Sequence, residues 1–205
     1  MSPFEPAVAL EHARDHTLTL LEPLSDDQLA AQVSPLQSPL VWDLAHIGHF
    51  EELWLLRRVG RRSALSSEYD DLYDSFSHAR GERGGLPILS PEAAGAYVRA
   101  VRESVLGLLP ELSLDNGDPL LERGFVVGMV VQHELQHVET MAQTLALAGL
   151  PGPEPQGPPE VNASGEVTVP GGAFTLGSTV ESRLALSSGG KVTPANGQEY
   201  PRTQL

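Results

Sequence analysis

Apolar residues recur at intervals of three and four along most of the first 150 positions, the pattern of helices that each bury one face. A first helix is predicted over residues 6–21, with Val8, Leu18, Leu20 and Leu21 as its apolar stripe. A second opens at Ser38-Pro39, a capping hydroxyl followed by a proline in the first turn. It continues through Trp42, Leu44, Ile47, Phe50, Leu53, Trp54 and Leu56 to a stop at Gly60. A third opens the same way at Ser90-Pro91 and ends at Leu109-Pro110. A fourth is predicted from about Pro119 to Gly149-Leu150-Pro151, and its stretch 124–131 is apolar nearly all round, as in a helix buried within a bundle.

The pattern then changes character. Residues 63–89, rich in Asp, Tyr, Arg and Gly, form a connection too long to be idle. Prolines at 151, 153, 155, 158 and 159 give a stiff linker over 151–165. Two short strands are predicted around Pro170-Gly171-Gly172, whereas 182–205 has no sustained period. The expectation is a mainly α chain: a four-helix bundle over 1–150, the linker, and over 166–205 the β-hairpin start of a second domain left incomplete, since one hairpin closes no core.

Composition narrows the chemistry. The 205 residues carry 13 Lys+Arg against 27 Asp+Glu, a formal charge of −14, which argues against a nucleic acid partner. The absence of Cys removes disulfides, zinc thiolates, iron–sulfur clusters and thiol nucleophiles. No segment reads as a secretory leader or a membrane span, so the expectation is a cytoplasmic protein whose chemistry rests on His, carboxylates and Tyr.

Seven histidines include two pairs at the i,i+4 spacing that stacks imidazoles on one helical face. His12 and His16 lie among Glu11, Arg14 and Asp15, a face that reads as wet. His133 and His137 instead follow the apolar run 125–131, where imidazoles are costly without partners. A metal satisfies them, and so would carboxylates on neighbouring helices. His46 is the best third ligand, because Trp42, His46, Phe50 and Leu53 share one side of the second helix and His49 lies about 60° off that line. Three imidazoles leave coordination positions open, as in a catalytic centre, and suit iron(II), zinc or nickel. The string HELQH at 133–137 also matches a metalloprotease signature, but an all-helical setting offers no strand edge beside which a peptide would lie. Glu51-Glu52 and Asp70-Asp71 read as solvated charge, and Tyr69 and Tyr73 sit in the long connection, where the sequence alone does not decide whether they close over a pocket.

SPLVWDLAHIGHFEELW at 38–54, LPILSP at 86–91 and HELQHVETM at 133–141 together resemble the iron(II)-dependent sulfoxide synthases of ergothioneine biosynthesis, the hercynine oxygenases. VTVPGGAFTLG at 167–177 resembles the start of that family's second domain, which is similar to formylglycine-generating enzyme. The resemblance implies a DinB-like bundle with iron on His46, His133 and His137. It also implies an oxygen-dependent reaction joining γ-glutamylcysteine or cysteine to the imidazole C2 of trimethylhistidine (hercynine), with oxidation of the sulfur to a sulfoxide. By the same resemblance Gln136 helps hold trimethylhistidine, and Arg83, or alternatively Arg80, binds the carboxylate of the thiol substrate. The family's acidic Tyr belongs to the rest of the second domain. Because the family pattern ends near Gly177, the expectation is a truncated copy with impaired turnover, leaving no catalytic side chain to assign here.

Overall fold

A computed structural model describes residues 5–113 and 117–152. Six α-helices are present among them: α1 (Pro6–Leu21), α2 (Asp26–Ala30), α3 (Leu40–Glu51), α4 (Tyr69–Leu72), α5 (Pro91–Leu108) and α6 (Phe125–Ala148). The four long ones make the expected bundle, with α1 against α6, α3 against α5, and α3 also against α6. The linker over 151–165 lies outside the described residues apart from its first two positions, and the predicted hairpin over 166–205 lies wholly outside them.

Of the two predicted Ser-Pro starts one is capped as expected and the other is not: α3 begins after Pro39 with no side-chain cap, because Ser38 Oγ accepts from Arg83 instead. Ser90 Oγ accepts from the Ala93 N–H with Pro91 in the first turn, as its sequence predicts. The short α2, which hydrophobic periodicity does not reveal, is set by a reciprocal capping box between Ser25 and Gln28. At its far end α6 stops at Gly149 (φ 65°), and the Leu150 N–H returns to the Leu145 carbonyl, closing the last turn through a left-handed residue. Its start is later than the sequence suggests. Arg123 (φ 51°) and Gly124 (φ 71°) both adopt left-handed backbone and separate the turn at 122–124 from α6.

The second predicted helix does not remain α-helical. After Glu51 the chain widens into a π-helical stretch, Glu52–Val59, before ending at Gly60. Such windings are rare and concentrate at functional sites; here the stretch carries Leu53 and Trp54 onto the wall of the cavity described below. Close helix approach is set by Gly48, where an added Cβ would stand 2.6 Å from Val98 Cγ1.

Charged residues also enter the core, against expectation. Glu51 and Glu52 are fully buried rather than solvated. Arg14, expected on the wet face of α1, is buried too, while Val8 and Leu18 of the predicted stripe are exposed. Arg14 and Arg102 sit between Glu51 and Glu134, so that α1, α3, α5 and α6 each contribute one charge to a neutral quartet. Arg102 also donates to the Leu10 carbonyl, and Arg14 to that of Val98. Glu52 accepts from the Tyr97 hydroxyl at 2.6 Å and from the Leu65 N–H at 2.9 Å. These contacts satisfy the buried charges and fix the rotation of each helix about its axis.

Candidate metal centre

With α6 held in this rotation, His133 and His137 face α3 and meet His46. Ring centroids are 5.0 Å apart for His46–His133, 4.8 Å for His46–His137 and 4.7 Å for His133–His137, nearly an equilateral triangle. One nitrogen from each ring lies within 4.8 Å of the others, and no other three potential ligands among the described residues converge in this way. Nitrogens sharing an ion at about 2.1 Å stand roughly 3.0–3.4 Å apart, so the rings need to draw in by on the order of an ångström to hold one together.

Each ring is oriented from behind. His46 Nδ1 is 2.7 Å from the Tyr73 carbonyl. A carbonyl oxygen only accepts, so Nδ1 carries the hydrogen and Nε2 presents a lone pair to the triangle. The His46 ring stacks on Trp42 at 4.8 Å, and the Arg83 guanidinium covers Trp42 at 3.7 Å. His133 stacks on Phe50 at 3.7 Å, and His137 Nδ1 lies 3.3 Å from the buried Asp43 carboxylate. Burial, then the neighbouring His137, lowers the His46 pKa to about 3; burial, then His137 and His46, lowers that of His133 to about 2. Neutral imidazoles, with their lone pairs available, are the form a metal binds.

The triangle opens into a cavity of about 790 Å³. Gln136, on α6 between the two histidines, lines it, as do Arg80 and Arg83. The two arginines differ in their freedom. Arg83 is buried and donates to the His78 and Ser75 carbonyls and to Ser38 Oγ, whereas Arg80 is exposed. Tyr73 reaches the cavity, yet its hydroxyl already accepts from the Leu89 N–H, and burial raises its pKa to about 12. Tyr69 packs edge-on against Tyr73 and Tyr97. His49, off the line of His46, stays out of the triangle and lies 3.7 Å from Asp70, which forms a two-pronged bond with Arg57.

Glu134 points away from the triangle into the charge quartet. The general base of a metalloprotease must face the metal-bound water, so the HELQH string does not work as that motif here. His12 and His16 are exposed, with Nε2 atoms 3.3 Å apart. Sequence reasoning missed the approach of Asp43 to His137 and the hydrogen bond of His46 to the Tyr73 carbonyl. The first was visible only as a carboxylate three residues before His46, on the same helical side, and the second has no signal in sequence.

Comparison with known proteins agrees with this architecture. The chain is 48% identical over 173 residues to hercynine oxygenase of Mycolicibacterium smegmatis, covering 80% of this chain and 39% of that protein. It is 47% identical over 148 residues to the hercynine oxygenase of Mycobacterium tuberculosis, covering 71% and 33%. The enzyme of the same name from Mycolicibacterium thermoresistibile is 47% identical over 145 residues, covering 70% and 31%. The chain thus spans between 31% and 39% of the length of these curated relatives. The sequence model of the DinB superfamily matches residues 9–141, from the first helix through both histidines of α6, and the chain belongs to that superfamily.

Proposed function

We propose that this chain is the metal-binding portion of a sulfoxide synthase of the hercynine oxygenase type, joining γ-glutamylcysteine or cysteine to trimethylhistidine with oxygen. The observation that carries the reading is the triangle of inward-facing imidazoles at the end of a cavity, in a chain whose matched residues are nearly half identical to enzymes of that name. His46, His133 and His137 would hold iron(II). Once bound, iron(II) would supply open coordination positions at which oxygen and thiol chemistry takes place beside the substrate imidazole.

The protein's own contribution is placement. Bringing the reacting groups together beforehand removes much of the entropic barrier to their encounter. Gln136, next to His137, offers an amide to the trimethylhistidine. Arg80 is better suited than Arg83 to the thiol substrate's carboxylate, because Arg83 spends its donors on the fold and backs the Trp42–His46 stack. Phe50, Leu53 and Trp54 keep water from that wall of the cavity.

The match to the Mycolicibacterium smegmatis enzyme covers 80% of 205 residues, about 164, and so runs past Gly152. On the proline run and the VTVPGGAFTLG motif, 151–165 is read as a linker and 166–205 as the start of a second, formylglycine-generating-enzyme-like domain. A test of the function is anaerobic reconstitution with iron(II), followed by γ-glutamylcysteine and trimethylhistidine, with the iron(II)–nitrosyl EPR spectrum as readout. The reading predicts that each substrate alters the spectrum and that Arg80→Ala abolishes only the response to the thiol. A protein that retains zinc or nickel in preference to iron, and whose bound metal ignores trimethylhistidine, would favour a thiol transferase instead.

A further inference from the structure

Asp43 has no role in any contact described so far beyond its proximity to His137. Its carboxylate is 1% exposed, with Oδ1 3.3 Å from His137 Nδ1, a contact short of a hydrogen bond that leaves both His137 Nδ1 and Asp43 Oδ2 buried without a partner. A buried carboxylate in this state is expensive. Its position in the first turn of α3 and the nearby Arg83 cation offset part of that cost, but neither requires the carboxylate to face a histidine of the triangle. Asp43 also lies three residues before His46, so one face of α3 carries both a histidine and a group that contacts a second histidine on α6.

We propose that Asp43 is the positioning residue of the centre: as the three rings draw in around an ion, its carboxylate accepts the His137 Nδ1–H, fixes that ring with Nε2 toward His46 and His133, and raises the ring's strength as a metal donor. This rests on the proposed metal-binding role of the three histidines. The physical basis is the hydrogen bond. An imidazole that gives one N–H to a carboxylate has its tautomer and ring angle set and becomes more basic at the other nitrogen. His46 achieves the first of these through the Tyr73 carbonyl, His133 is held by stacking on Phe50, and Asp43 completes the set with a buried anion beside His137. An anion there also stabilises a dication held by three neutral ligands, which a carbonyl or an aromatic ring does far less.

The test compares wild type, Asp43→Asn, Asp43→Ala and a variant with all three histidines replaced by alanine. Each is titrated anaerobically with cobalt(II) against a competing chelator, and the visible ligand-field spectrum and the metal-free melting temperature are recorded. Asp43→Asn keeps shape and an accepting oxygen while losing the charge, and is expected to weaken cobalt(II) binding about tenfold; Asp43→Ala loses both and is expected to weaken it toward a hundredfold, with a shifted spectrum. Should Asp43→Ala fail to fold, the near-isosteric Asn variant carries the test alone. A folded Asn variant that binds cobalt(II) within twofold of wild type, with an unchanged spectrum, overturns the proposal, and so does a lower melting temperature with unaltered affinity. Wild type that binds no cobalt(II), or binds it equally without the three histidines, defeats the metal-centre reading itself and the role of Asp43 with it.

Discussion

Replacing Glu134 by alanine probes what holds α6 in the rotation the triangle requires. The carboxylate accepts from Arg14 Nε at 2.6 Å, from Arg102 Nη2 at 3.1 Å and from Thr17 Oγ1 at 3.0 Å, with Arg14 Nη2 more distant at 3.4 Å. Without it, two buried guanidinium groups face Glu51 alone, leaving one uncompensated positive charge. Breaking a buried pair from one side costs about 3–5 kcal/mol. In a protein of this size each kilocalorie lowers the melting temperature by about 2–4 °C, so Glu134→Ala should melt roughly 6–20 °C lower. Glu134→Gln keeps the shape and one accepting oxygen, but it turns an amide N–H toward a donor and leaves the same unbalanced charge, so it should lose nearly as much, about 3 kcal/mol. Converting Glu134 and Arg102 together to leucine and methionine leaves the Arg14–Glu51 pair intact and removes the imbalance, so the double variant should be more stable than Glu134→Ala. Thermal unfolding followed by circular dichroism measures all three. A Glu134→Ala protein within 1 kcal/mol of wild type, or a double variant less stable than the single, would refute the argument that the quartet is a balanced unit.

Other outcomes follow from the same structure. Gly48→Ala places a methyl 2.6 Å from Val98 Cγ1 and should cost about 1–3 kcal/mol by urea denaturation, through forced separation of α3 and α5. Tyr97→Phe removes the hydroxyl that donates to buried Glu52 and should cost about 1–3 kcal/mol in the same assay. Metal-free protein should lose stability as pH falls. His46 and His133 have folded pKa values of about 3 and 2 against 6.5 unfolded, so below pH 6.5 the unfolded chain takes up protons that the folded one refuses, and urea midpoints should decline steadily toward pH 3. Arg83→Ala should lower stability by about 2–3 kcal/mol through lost contacts to the 75–78 turn and Trp42, whereas Arg80→Ala should leave melting unchanged; reversal of this order would contradict the division of labour between them.

What the sequence discloses here is governed by periodicity and local capping. The Ser90-Pro91 start, the Gly149 stop and the grouping of His46, His133 and His137 on facing helices could all be read from short-range pattern. The charge quartet could not be read that way, although Arg102 standing within Val98, Val101 and Val105 was a clue: a charge on an apolar stripe has to be paired inside. Arg14, Glu51 and Glu52 looked solvated because their side-chain partners are 37 to 120 residues distant along the chain. Nor does composition foretell the π-helical winding after Glu51 or the left-handed break at Arg123-Gly124, both of which depend on how neighbouring helices pack. The Tyr73 carbonyl that orients His46 comes from backbone, which no side-chain pattern records.

Anaerobic iron(II) titration with equilibrium dialysis asks whether three imidazoles from two helices share one ion. One tightly held iron per chain is expected in wild type, with loss of that equivalent in each of His46→Ala, His133→Ala and His137→Ala while their circular dichroism stays helical. Stoichiometric iron that survives removal of any of these rings, or wild type that retains none, would contradict a shared ion.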